Sequence, residues 1–317
     1  MIWGNEYFFL KLRGLDFAER NPARAAIVFG REFEGTFFFK KGSLRLKGVV
    51  QMIDAPSIEE LFSLRGKNIF IVGSTAGFGL IVAASFAKSG ARVTIAGRRD
   101  ARKEAEEIGA RYVQLDARDP VAFERVLKES RNAVGLFDAL ILNQGAYGEN
   151  FITRTEPGVW DNIIDTNFKG MLYGLKFGAP HVKDGGSIIM TSSIAGVRGM
   201  PRQGAYSATK EAIVSLARVG AIELGPRGIR VNAVCPAAIL SDRSRTYSAE
   251  GYSFVTQMNR AGSGQEMVGA FAFLASDASK FVTGSTVTVD GGMLAGMSWT
   301  LSKITGEKLE AMQREKG

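Results

Sequence analysis

NIFIVGSTAGFGLIVAASFAKSG, residues 68–90, decides the fold. An apolar run of strand length (68–72) passes through glycines at 73, 77 and 79 into LIVAASFAKSG, which has the composition of a packed helix. The same alternation continues outward. ARVTIAG (91–97), ARYVQLD (110–116), FDALILN (137–143), GSIIMTSS (186–193), GIRVNAVCP (228–236) and GSTVTVDGG (284–292) read as six further strands. Between them lie helical stretches such as DPVAFERVLKES (119–130), PGVWDNIIDTNFKGMLYGLKFGAP (157–180) and SGQEMVGAFAFLASD (263–277). Parallel neighbours need crossover connections, so strict alternation predicts an α/β, Rossmann-like doubly wound domain over residues 67–295. Its seven-stranded parallel sheet carries helices on both faces, and ligands gather beyond the carboxyl ends of the strands.

Residues 1–66 break the alternation. Phenylalanines crowd this segment, and AAIVF (25–29), EFEGTFFFK (32–40) and SLRLKGVVQMI (43–53) read as short antiparallel strands with a turn at Lys41-Gly42. They predict a small β-rich N-terminal extension, too short to be stable alone. Residues 296–317 form a C-terminal tail with helical character.

The chain has 317 residues, 45% of them hydrophobic, enough to fill a sizeable core. Its net charge of +8 is spread among interspersed acids and bases, with no basic run or nucleic-acid motif, so anionic cofactors or acidic partners are expected and nucleic acid is not. Cys235 is the single cysteine and His181 the single histidine, which excludes an intrachain disulfide and a histidine-rich metal site. Cys235 follows VNAV in a predicted strand, where a small apolar role is expected. No metal is expected. No apolar run reaches ~18 residues, so the chain is expected to be cytoplasmic and to make no membrane contact.

The glycine turn has a chemical reading. Glycines let the backbone turn sharply and approach a pyrophosphate, whose charge suits the free N–H groups and dipole of the helix start. Gly73, Ser74, Gly77, Phe78 and Gly79 are therefore candidate dinucleotide contacts. After the second strand, where an NAD-binding chain commonly places an acid, stand Arg98 and Arg99. Guanidinium groups pair with an extra phosphate, so NADP(H) is the expected cofactor, with NAD(H) an open alternative. Asp116 is a candidate for the adenine amino group; alternatively it starts the turn LDARDP.

MTSSIAGVRGMPRQGAYSATK (190–210) supplies a hydroxyl, a phenol and an ammonium in Ser193, Tyr206 and Lys210. Tyr206 and Lys210 are four apart in a helical stretch and share a face. A phenol titrates near pH ~10, and a neighbouring cation favours the phenolate. An isolated Y-x-x-x-K is usually a surface pair, so the reading depends on its company.

With the glycine turn, Ser193 and the Tyr206/Lys210 pair in this order, the chain resembles the short-chain dehydrogenase/reductase family, in particular its 3-oxoacyl-carrier-protein reductases, over about residues 67–295. Asn143 and Gly145 in LNQGAYG match part of the family's asparagine-rich turn. Asn167 in NIIDTNFKG matches its active-site asparagine, and Pro236, Ile239 and Ser241 match its nicotinamide-side segment. The resemblance implies hydride transfer between a nicotinamide and a carbonyl or secondary alcohol. Tyr206 is then the general acid/base and Ser193 holds the substrate oxygen. Lys210 lowers the phenol pKa and binds the nicotinamide ribose, while Asn167 holds a water through its main chain or side chain. It also implies a homodimer or homotetramer. Enoyl reductases of related fold space tyrosine and lysine more widely, which argues against that activity.

Val72, Leu142, Gln144 and Ala237 depart from the family pattern around the cofactor. In residues 237–264, Tyr247, Tyr252, Phe254 and Met258 are candidate apolar pocket residues, and Arg243 and Arg245 candidate partners of an acidic group. The expected substrate is a small-molecule or acyl-thioester carbonyl compound. The alternative is an inactive binding or regulatory protein of this fold that uses its phenylalanine-rich segment.

Overall fold

The computed structural model describes residues 32–39, 42–49, 55–237, 239–240, 254–297, 303 and 306–308. Two compact units divide the chain, Met1–Ser57 and Ile58–Gly317.

In the first unit, β1 (Glu32–Phe39) and β2 (Gly42–Val49) pair antiparallel, from Glu32 opposite Val49 to Phe39 opposite Gly42. Gly42 is the first residue of β2, paired with Phe39, so the chain reverses where the turn at Lys41-Gly42 is expected. The AAIVF stretch lies outside the described residues.

The second unit opens with α1 (Ile58–Phe62) and β3 (Asn68–Val72). Then follow α2 (Gly77–Lys88), β4 (Arg92–Gly97), α3 (Arg102–Glu107), β5 (Arg111–Gln114), α4 (Pro120–Val134) and β6 (Phe137–Leu142). The chain continues through α5 (Pro157–Ile164), α6 (Gly170–Gly178), β7 (Val182–Thr191), α7 (Gly204–Leu224) and β8 (Arg230–Pro236). It closes with β9 (Ile239–Leu240), β10 (Gly262–Ser263), α8 (Val268–Ala275) and β11 (Thr286–Val289). Seven strands form one parallel sheet, as the sequence predicts; their order is β11-β8-β7-β6-β3-β4-β5, and β9 pairs with β10 apart from it.

Both sheet faces are covered, so successive residues of a strand enter different cores. Phe70 and Val72 of β3, Leu140 and Leu142 of β6, and Ile188 and Met190 of β7 join Phe123 of α4 and Ile213 of α7. Ile69, Ile71, Ile141 and Ile189 point the other way, toward Val82 and Phe86 of α2 and Phe271 of α8. Helix starts follow local chemistry: Asp119 accepts from the Val121 and Ala122 N–H groups, and Pro120 begins α4.

Two features depart from the sequence reading. Residues 58–66 belong to the larger unit: Leu64 is buried in its core, and Phe62 meets Phe273 at 6.3 Å between centroids. The helix expected over 157–180 is interrupted by a π turn at Asp165–Lys169. Among the described residues no helix is long and apolar enough to cross a membrane. Of the tail, Lys303 and residues 306–308 are helical and exposed; the remainder from 298 lies outside the described residues.

Candidate active site

Successive connections leave the sheet in opposite directions at β3 and β6, and a crevice opens beyond their carboxyl ends. There lies a cleft of about 620 Å³.

One end of it is the glycine turn. Gly73 has φ +76°, and a Cβ there would stand 2.5 Å from the Gln144 nitrogen; at Gly79 a Cβ would stand 2.7 Å from the Gly73 oxygen. The turn therefore has room for backbone only, with the start of α2 behind it. Asn143 pins it in place. Its Nδ2 donates to the Gly73 oxygen at 2.9 Å, and its Oδ1 accepts from Thr191 Oγ1 at 2.8 Å, which ties the ends of β3, β6 and β7 together.

Gly73, Gly77, Phe78, Gly79, Asn143 and Gly145 line the cleft, but the predicted Ser74 does not. Ser74 is buried, and its Oγ donates to the Ile71 oxygen at 2.6 Å, closing the turn from inside. Thr75 lines the cleft instead. A hydroxyl within a glycine-rich stretch is legible in sequence; which of two adjacent hydroxyls faces outward is not.

Arg98 and Arg99 both line the cleft but are not equivalent. Arg99 donates to Glu104 Oε1 at 2.6 Å and to the Thr75 carbonyl. Among the described residues nothing hydrogen-bonds or ion-pairs with the Arg98 guanidinium, which is the cation left for an anion in the cleft. Asp116 also lines it, yet Arg118 grips the carboxylate through Nε at 3.0 Å and a terminal nitrogen at 2.6 Å. The Arg118 N–H adds a bond at 3.0 Å, and Arg118 holds the carboxyl below its usual pKa. Asp116 thus starts the turn and also borders the cleft.

At the other end are Ser193, Tyr206 and Lys210, with Pro236 and Ile239 alongside. Ser193 begins a 3-10 turn, and its Oγ accepts from the Ala195 N–H at 3.2 Å. Lys210 is buried, and its Nζ donates to the Thr191 oxygen at 2.9 Å and lies 5.6 Å from the Tyr206 ring centroid. Burial pulls its pKa down to about 8. A tight crossing places it: Ser192 Oγ donates to the Lys210 oxygen at 2.6 Å, and a Cβ on Gly196 would stand 2.5 Å from that oxygen.

Asn167 sits in the π turn, fully buried and off the cleft wall. Its Oδ1 accepts from the Ala146 N–H at 2.7 Å and its Nδ2 donates to the Ala146 oxygen at 2.9 Å and to Thr209 Oγ1 at 3.3 Å. Both Nδ2 hydrogens are thereby used and Oδ1 keeps one lone pair. Ser241, Tyr247, Tyr252, Arg243 and Arg245 lie outside the described residues. Phe254 and Met258 are exposed and are not among the residues that line the cleft. Cys235 is buried, and burial raises its thiol pKa, consistent with an apolar role.

Ala146, Tyr147, Thr166 and Thr191 also line the cleft without having been singled out in the sequence, and so does Gln144, one of the departures named there. Gln144 Nε2 lies 3.7 Å from Met171 Sδ, and among the described residues its Oε1 has no hydrogen-bond partner.

A family model described as "Enoyl-(Acyl carrier protein) reductase" matches residues 72–294. The 3-oxoacyl-(acyl-carrier-protein) reductase FabG of Staphylococcus aureus (strain N315) is 35% identical over 240 residues, covering 72% of this chain and 98% of that protein. Versicolorin reductase stcU of Emericella nidulans is 31% identical over 260 residues, covering 74% and 98%. A solved short-chain dehydrogenase/reductase from Mycobacterium ulcerans superposes with a TM-score of 0.72 at 30% identity, over 74% of this chain and 92% of that one.

Proposed function

The chain belongs to the short-chain dehydrogenase/reductase family of oxidoreductases, and from that premise we propose an NADP(H)-preferring carbonyl reductase with Tyr206 as its general acid/base. The observation that carries this reading is one cleft lined by the glycine turn, the unpaired Arg98 guanidinium, Ser193, Tyr206 and Lys210. The residues fit a dinucleotide: the cradle at Gly73 and Gly79 has no space for a Cβ, and Arg98 suits a 2′-phosphate.

When bound, the nicotinamide supplies or accepts the hydride. In reduction Tyr206 gives its phenol proton to the carbonyl oxygen; in oxidation it takes that proton back. Ser193 Oγ already accepts from Ala195, which leaves its O–H to donate to the same oxygen. Lys210 uses one donor on Thr191 and keeps two for ribose hydroxyls, and its charge favours the Tyr206 phenolate. Asn167 braces the Ala146 backbone and would hold a water through its main chain or its remaining Oδ1 lone pair.

The three-residue gap between Tyr206 and Lys210 supports carbonyl over enoyl reduction, as does the similarity to a protein named as a 3-oxoacyl-(acyl-carrier-protein) reductase. A 3-oxoacyl thioester is the first substrate to try, since the staphylococcal relative is named for it and the chain carries a net charge of +8. The exposed Val219 and Ile222 on α7 support a homodimer or homotetramer built through that helix.

Fluorescence titration with NADPH and NADH tests the cofactor, and equal or tighter NADH binding overturns the role of Arg98. A ketone panel tests the chemistry. Tyr206→Phe is expected to lower kcat by roughly 100-fold or more, the scale of general acid–base catalysis. Unchanged turnover in that variant sinks the mechanism.

A further inference from the structure

We propose that Tyr147 is a positioning residue for Tyr206, fixing the phenol through an edge-on ring contact that a cross-braced pair of loops holds in place. This rests on Tyr206 being the acid/base.

Tyr206 is the third residue of α7, where a helix is least secure, and the N-cap residue Gln203 makes no side-chain cap. Gln203 is used otherwise: its Nε2 donates to the Tyr147 hydroxyl at 3.1 Å. That hydroxyl donates in turn to Glu149 Oε2 at 2.7 Å. Glu149, whose side chain is 7% exposed, pairs through Oε1 with Arg202 at 3.2 Å. The Arg202 oxygen accepts from the Asn150 N–H at 2.8 Å, and Asn150 bridges to Gln203. Apart from the Tyr147–Glu149 bond, which stays within the loop after β6, these ties join that loop to the segment leading into α7.

The Tyr147 ring is thus anchored at its far end and meets Tyr206 with centroids 5.0 Å apart and planes at 76°. Such a contact is directional and restricts both rings. Lys210 Nζ also lies over the Tyr206 ring, so the phenol is held by an ammonium and by a second ring. The brace has little slack. A Cβ at Gly148 would stand 3.0 Å from Val159 Cγ1, and one at Gly204 would stand 2.8 Å from Ile152 Cγ1. Arg202 accepts a left-handed φ of +67°, uncommon outside glycine, within this arrangement.

The test compares Tyr147→Phe, which keeps the ring, with Tyr147→Ala in the full chain. NADPH affinity serves as the control for folding. For Tyr147→Ala we expect kcat to fall roughly tenfold or more, because misplacing a reacting group by a fraction of an ångström is costly. Tyr147→Phe is expected to recover most of that loss. A second measurement does not depend on turnover: 13C-tyrosine NMR of the Tyr206 ring, assigned with Tyr206→Phe, reports ring flipping. Flipping is expected to be slow in wild type and Tyr147→Phe and fast in Tyr147→Ala. Unchanged kcat and unchanged flipping in Tyr147→Ala overturn the proposal, as does a Tyr147→Phe variant as impaired as Tyr147→Ala. If wild type reduces no ketone, or Tyr206→Phe stays active, the catalytic reading fails, and with it the premise of this proposal, whatever the ring dynamics show.

Discussion

The two arginines after β4 separate two kinds of cation that look identical in sequence. Arg99 is held by Glu104 and the Thr75 carbonyl, whereas the Arg98 guanidinium lines the cleft with no hydrogen-bond or ion-pair partner among the described residues. Arg98→Ala should weaken NADPH binding by roughly 10-fold or more while leaving NADH unchanged, the usual size of a lost charged hydrogen bond. Arg99→Ala should act mainly on stability; fluorescence titration and urea melts of both variants check this. Lys210 makes a second residue-scale prediction. Its native pKa of about 8 lies below the ordinary lysine value because burial disfavours the ammonium. Below about pH 8 the folded chain carries a buried charge, and between there and ~10.4 the unfolded chain binds more protons, so stability rises with pH across that window. Lys210→Met should therefore be more stable than wild type near pH ~7 in the absence of cofactor, by up to a few kcal/mol, less the lost bond to Thr191. The gain should shrink toward pH ~10, as urea unfolding at several pH values would show.

At the scale of elements, the first strand-turn-helix was legible because each part has its own signature: an apolar run, glycines, then a packed helix. Gly73→Ala should cost about 2 kcal/mol or more, because a left-handed φ and a contact with Gln144 coincide there. A lower urea midpoint together with weakened NADPH binding would confirm it. The π turn was not legible. PGVWDNIIDTNFKGMLYGLKFGAP has helical pattern throughout, and the local sequence contains nothing that requires an extra residue at 165–169. The cause is tertiary: Asn167 must meet both backbone groups of Ala146, which lies past the end of β6. Likewise, Ser74 and Thr75 cannot be ranked without β4, since Ser74 Oγ turns to Ile71 and the Ala96 N–H while Thr75 packs on Gly97.

For the whole molecule, seven strands and their parallel pairing were predictable because covered parallel strands read as uninterrupted apolar runs alternating with helices, whereas their order came from the structure. The boundary of the large unit was not. Residues 58–66 carry no strong pattern, yet Leu64 fills the core and the adjoining Lys67 pairs with Asp277 at 2.7 Å. Removal of residues 1–57 should leave cooperative unfolding and NADPH binding intact. Removal through 66 should cost a further ~2–5 kcal/mol, the range for emptying a buried leucine site; calorimetry of the two truncations separates them. The sequence by itself determined the alternation, the glycine turn and the identity of Ser193, Tyr206 and Lys210, because these rest on local periodicity and on residue chemistry. Only the tertiary structure decided that Arg98 is the open cation, that Asp116 is taken by Arg118, that Asn167 braces a loop, and that Tyr147 stands against Tyr206. Each of those depends on which groups from distant segments satisfy one another first, and pairing between segments is set by packing, not by spacing along the chain.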